Sequence, residues 1–191
     1  MSPGDWFSLL GVVGGLGGLF FGLYQYIQAQ RWKRAELVAT EMKEFKSLPA
    51  VKSAMLMLDW SSQEIELFPD EESAERRKIW VTDEMLRLAL QPHTERADGK
   101  FTDTEAAIRG TFDEFLDGLE RFEQYIQSGL VDVNDVRPYL DYWIEIMGKL
   151  ESDRKPPEVK ESLWRYIQAY DYRGVQRLFT RFGYDIRPRQ D

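Results

Sequence analysis

Apolar residues recur along the chain in two patterns. From Trp6 to Ile27 they form an almost unbroken run, WFSLLGVVGGLGGLFFGLYQYI, in which Ser8 and Gln25 are the strongly polar side chains. After residue 30 they recur at the spacing of amphipathic helices, with charged residues between them. The first run passes directly into RWKRAELVATEMKEFKSL, where Leu37, Val38, Phe45 and Leu48 continue a helix as far as Pro49, which ends or kinks it. With no hinge in between, motion in one half of this helix is expected to be felt in the other. AVKSAMLMLDW then predicts a short, largely buried helix. EIELF and KIWVT predict short strands or extended segments on either side of the polar stretch PDEESAERR. TDEMLRLAL predicts a helix capped by Thr82 or Asp83 and stopped by Pro92; the loop PHTERADGKFTDTE follows, with a turn at Asp98-Gly99.

The second half is more regular. Thr104 is positioned to cap a helix that runs to Ser128, with Phe112, Phe115, Leu116, Leu119, Phe122 and Ile126 on one face and a stop at Gly129. Its other face, Asp113, Glu114, Asp117, Glu120, Arg121 and Glu123, reads as solvated. The next helix carries Val136, Leu140, Trp143, Met147 and Leu150 at core spacing, with Pro138 near its first turn. A further helix after Pro157 buries Leu163, Trp164 and Ile167. A last one, capped by Asp171, buries Val175, Leu178, Phe179 and Phe182. Tyr139, Tyr142 and Tyr166 share this spacing and read as core. These stripes predict an all-α fold: one N-terminal transmembrane helix continuing into a cytoplasmic helical bundle of about 160 residues, with room for two short strands. The divisions are a leader at 1–5, a transmembrane helix at 6–28 and a cytoplasmic helical domain at 29–191.

The membrane reading rests on length and flanks. Twenty-two residues at about 1.5 Å each span roughly 33 Å, enough for a hydrocarbon core of about 30 Å. Trp6 and Phe7 at one end, and Tyr24, Tyr26 and Trp32 at the other, form the expected aromatic belts. A cleaved signal peptide is the rival reading, but the leader MSPGD carries no cation and Ala29 lies in no small-x-small site. Arg31, Lys33 and Arg34 follow the run and nothing basic precedes it, which places the N-terminus outside and the C-terminal domain in the cytoplasm of an inner or plasma membrane. The same three cations are candidate ligands for anionic lipid headgroups, besides being ordinary topology determinants.

Six of the fourteen glycines fall in this run. Gly11, Gly14, Gly15, Gly18 and Gly22 make repeated i, i+4 spacings, and positions 11, 15, 18 and 22 form one smooth stripe. In lipid, helix association depends on close packing, which small residues permit. A homo-oligomer joined through these glycines is therefore expected, as a pair or as a ring.

Composition excludes more than it selects. The chain has no cysteine and one histidine, which removes disulfides, thiolate metal sites and a two-histidine metal site. A net charge of −8 gives no general basic field for nucleic acid. No phosphate-binding loop, dinucleotide fingerprint or nucleophile elbow is present, and the acidic residues at 70–75 and 98–103 read as solvated charge, so no cofactor and no metal are expected. The arginines Arg165, Arg173, Arg177, Arg181, Arg187 and Arg189 make a basic C-terminal end. It reads first as the partner of the acidic helix face at 113–123, in the same or a neighbouring subunit, and second as a surface for RNA or membrane.

Arg87 and His93, in RLALQPH, are the single pair with a catalytic cast. Their spacing resembles that of HEPN-type ribonucleases, in which histidine moves protons and arginine stabilises phosphorane charge. Sixteen arginines make such spacing a common coincidence, and Pro92 breaks the helix between the two. The preferred reading is a loop histidine without catalytic duty in a protein that is not an enzyme.

The N-terminal span, the link QRWKRAELVATEMKEFKS and the later FEQYIQSGLVDVNDVRPYLDYWIEIMGKL resemble a family of bacterial single-pass membrane proteins of unknown function, the DUF4760-like group. The layout, the glycine-rich span and the Arg87/His93 pair are also similar to the membrane-pore accessory protein of Cas13b-type CRISPR systems. That second resemblance implies a ring-shaped pore and makes Arg87 and His93 structural remnants. The function expected is a gated pore or permeability change, in stress or phage defence. Its alternatives are a non-conducting anchor presenting the helical domain to a cytoplasmic protein, and a membrane-tethered ribonuclease. The partners expected are the chain itself, membrane lipids and, for the anchor, an unidentified cytoplasmic protein; RNA is not among them.

Overall fold

Pro49 sets the first boundary. It has no N–H with which to continue a helix, and it holds the residue before it out of the helical region. Accordingly α1 runs Pro3–Ser47, Leu48 is extended (φ −62°, ψ 129°), and α2 runs Pro49–Asp59 with the proline in its first turn. The structure, a computed structural model, describes residues 3–96, 99–150 and 154–186; the side chains of 3–14 and of Ala74 lie outside that description. The chain divides into two compact units, Met1–Thr40 and Glu41–Asp191. The first is helical from Pro3 onward. Among the described residues no helix is long and apolar enough to cross a membrane. Residues 6–14, where the expected span begins, have side chains outside the described set.

The second unit is mostly helical with one small hairpin, as the pattern predicts. β1 (Ser62–Glu66) and β2 (Lys78–Thr82) pair antiparallel, with Ser62 opposite Thr82 and Glu66 opposite Lys78. Ile65 and Val81 are buried, while Glu64, Glu66, Lys78 and Trp80 are exposed, which is the alternation of a half-buried sheet. α3 (Ala74–Arg77) precedes β2, and α4 (Asp83–Ala89) follows it, capped by the Thr82 hydroxyl, which accepts from the Met85 N–H. A 3₁₀ turn at His93–Glu95 leads to α5 (Asp103–Gln127), α6 (Val133–Gly148), α7 (Pro157–Ala169) and α8 (Arg173–Phe182).

α5 is central, packing against α2, α4 and α8, while α7 covers α4 and α8 and α6 covers α2, α7 and α8. Its apolar stripe is fully buried from Ile108 through Phe122. Phe45, in the last turns of α1 that belong to this unit, is also fully buried, stacked on Phe115 at 5.7 Å and edge-on to Phe122 at 5.5 Å. Gly118 makes that possible, because any Cβ there would run into the Phe45 ring.

Several local expectations are corrected. α5 begins two residues early because Thr102, not Thr104, is its cap. The Thr102 hydroxyl accepts from the Glu105 N–H while Glu105 accepts from the Thr102 N–H, a reciprocal pair that Thr104 has no acid to form. Asp132 and Asp135 make the same arrangement at α6, starting it at Val133 and leaving Pro138 inside the helix. Asp171 does not cap α8; it has φ +60° and binds Arg173. Glu120 of α5 caps α8 in its place, accepting from the Val175 N–H at 2.8 Å. The acidic face of α5 is not all solvated: Glu123 has no exposed surface and receives Arg177 and Arg181 from α8. Trp143 and Leu150 are half-buried, and Tyr139 and Tyr142 are exposed; on that side Tyr142 reaches Asp59 of α2 with its hydroxyl and Trp143 shares a hollow with Lys52, Met55 and Leu56, which cover the rings only in part.

Two glycines on α5 make a controlled comparison. Gly118→Ala drives a methyl into a ring held from two sides and is expected to cost about 1–3 kcal/mol. At Gly110 an added Cβ meets no atom within 4 Å, so Gly110→Ala should be neutral or stabilise by up to about 1 kcal/mol through helix propensity. Thermal unfolding of the two variants checks both.

Candidate functional site

On α1, every large apolar side chain from Leu16 to Ile27 is exposed, by 43% to 67%. A Cβ added at Gly15, Gly17, Gly18 or Gly22 would meet nothing within 4 Å. The helix therefore presents a bare glycine stripe and an uncovered apolar surface at once. Gly11 and Gly14, the other two glycines of the expected contact, lie outside the residues whose side chains are described. Past the apolar run, Arg31, Lys33 and Arg34 are exposed, and Arg31 and Arg34 share a hollow of about 340 Å³ with Tyr26, Ile27 and Gln30. Lys33 is not part of it.

Arg87 and His93 have separate partners. The Arg87 guanidinium lies along Glu84 one turn earlier on α4, with contacts of 2.6 and 2.8 Å. The His93 ring nitrogen Nδ1 is 2.9 Å from the Tyr170 hydroxyl of α7. No hydrogen bond joins the two residues among those described. The Tyr170 oxygen also accepts from Arg109 at 2.6 Å and from the His93 backbone N–H at 3.3 Å, so one hydroxyl ties His93 to α5 and α7.

Arg109 is the centre of this cluster, and it was not anticipated. Its guanidinium donates to the carbonyls of Ala89 (2.7 Å) and Gln91 (2.9 Å) as well as to Tyr170, and it lies over the rings of Phe101, Tyr166 and Tyr170 at 4.1 to 5.0 Å. It thus satisfies carbonyls left open where α4 ends and binds α4, α5 and α7 together. The only sequence signal was a charge beside Ile108 at the edge of the apolar stripe. Beside it, Asp113 accepts from the hydroxyls of Tyr166 (2.5 Å) and Tyr172 (2.8 Å); burial and that carboxylate push both phenols well above their ordinary range. Lys155 is buried against Asp83 and the Trp60 carbonyl, and burial lowers its ammonium pKa despite Asp83. These contacts interlock α4, α5 and α7 and tie Lys155 to the start of α4. Among the described residues no group of three acidic or histidine side chains is placed to hold a metal ion.

Two measurements follow. Lysine cannot reproduce the three-way fork of Arg109, so Arg109→Lys should cost about 2 kcal/mol and shift the ring resonances of the lone histidine in an NMR spectrum. Glu105 supplies a pH dependence. Burial alone would raise its carboxyl, but the Thr102 N–H, the Arg96 guanidinium at 3.0 Å and the Thr102 hydroxyl outweigh burial and hold it below its ordinary value of 4.5. The folded state then binds this proton less tightly than the unfolded state. The resulting stability is present above about pH 4.5 and is lost as pH falls through the depressed value. Glu105→Gln should flatten that acid limb in denaturant titrations run at several pH values.

No family model, curated protein or solved structure matches the chain.

Proposed function

We propose that the protein is a membrane-anchored homo-oligomer. Residues 6–28 insert in the inner or plasma membrane, residues 29–191 lie in the cytoplasm, and the helices pack through Gly11, Gly14, Gly15, Gly18 and Gly22. The activity that fits is a gated pore or a change in permeability, in stress or phage defence, as the likeness to the membrane-pore accessory protein of Cas13b-type systems implies. The observation that carries this reading is the uncovered surface of α1, where all large side chains from Leu16 to Ile27 are exposed beside a bare glycine stripe. A helix that is apolar all round needs lipid or other helices for cover, and glycines let a second helix backbone approach. Arg31 and Arg34, sharing one hollow, suit a headgroup phosphate at the end of the span.

The second reading, a non-conducting anchor for a cytoplasmic partner, is favoured by the apolar side chains left exposed on the other unit, Leu56, Trp60 and Trp80.

Gly18→Leu tests the first reading, because a Cβ added there meets nothing within 4 Å. In detergent its mass is expected to fall at the same concentration, with helix content unchanged. Gly17→Leu, off the stripe, should still assemble. An unchanged mass in Gly18→Leu would sink the packing argument.

A further inference from the structure

The second unit carries a trough of about 780 Å³ between α2, the hairpin and α5. Leu56, Leu67 and Gly110 are among its apolar lining, and Lys52, Glu66 and Glu114 stand on its rim. Trp80 lies directly across the ladder from Glu64 and two positions from Lys78. Both of those line the trough, so the indole stands on the same face of the hairpin. It is 61% exposed. One patch of surface therefore carries both a hollow and a large projecting ring.

We propose that this trough receives Trp80 from a second copy of the chain, and gives its own Trp80 in return, in a two-fold contact. A two-fold contact lays a patch on its own image, so the patch must hold both halves of the fit. Trp80 and the trough supply them. The patch must also carry both signs of charge, since a single sign would meet itself. Glu64 and Lys78 neutralise each other at 3.2 Å, and among the described residues Lys52, Glu66 and Glu114 form no ion pair. In the two-fold contact the free ammonium of one copy meets free carboxylates of the other. A partner of one sign would leave either Lys52 or the two glutamates unmatched. Tryptophan is also the residue type that most often anchors the centre of an interface. The contact stands on residues of the second unit alone. Where α1 also self-associates, the two units are held at high effective concentration and a small interface suffices.

The test places p-benzoylphenylalanine at position 80 of the full-length chain, keeping an aromatic wedge, and mixes two differently tagged copies. Ultraviolet light is expected to link the tags, with the link on residues 49–56 or 107–114 of the other copy. Gly110→Trp, at a trough-lining position where an added Cβ meets nothing within 4 Å, puts an indole into the trough and should cut the yield at least fivefold, whereas Gly110→Ala leaves room and should not. Links confined to one chain, links to a different protein, or a yield indifferent to Gly110→Trp would each overturn the proposal. Helix packing is judged separately, by the mass of Gly18→Leu, so either idea can fail without the other.

Discussion

The ring of Phe45 lies against bare backbone at Gly118, stacked on Phe115 and edge-on to Phe122. Close packing leaves a buried aromatic no alternative place to go, so this fit fixes where the end of α1 meets α5. The packing of the other helices follows from α5: α2 and α4 lie on one part of its surface and α8 on another, and α6 and α7 fill in around them. A single missing side chain thus determines the register of the longest helix in the second unit.

Around that apolar centre, the polar groups are satisfied by tertiary rather than local partners. Glu120 caps α8, Glu123 takes two of its arginines, and Arg109 closes the carbonyls at the end of α4. Each contact joins two different helices, α5 with α8 or α5 with the end of α4. Buried polar groups without partners cost more than partnered ones return, so these contacts act less as sources of stability than as conditions on which arrangement of helices is admissible.

Helical stripes were legible because amphipathic spacing is a local property. The buried faces of α5, α7 and α8 match the apolar residues named from the chain alone. The caps were legible in principle: Thr102-Asp103-Thr104-Glu105 offers two threonines, and the glutamate three positions after the first decides between them. The fate of charged residues was not legible. Glu123 and Glu114 occupy equivalent polar positions in the sequence, yet one is sealed beneath α8 and the other is open, a difference set by what packs on top. Arg87 and His93 show the same limit from the other side: their spacing is visible in the chain, and Glu84 one turn before Arg87 is too, whereas Tyr170, which occupies His93 from α7, follows no local spacing. The aromatic residues of α6 were assigned to the core by periodicity, which says that a face exists without saying that anything covers it.

The partners of Phe45 are encoded about seventy residues after it. At a synthesis rate of roughly 5–20 residues per second, the ribosome needs several seconds to produce them. Throughout that interval the apolar N-terminal segment is already made, while the slot that will hold the end of its helix does not yet exist. Until then the second unit cannot close around the end of α1, and the position of one glycine in α5 sets the length of the wait.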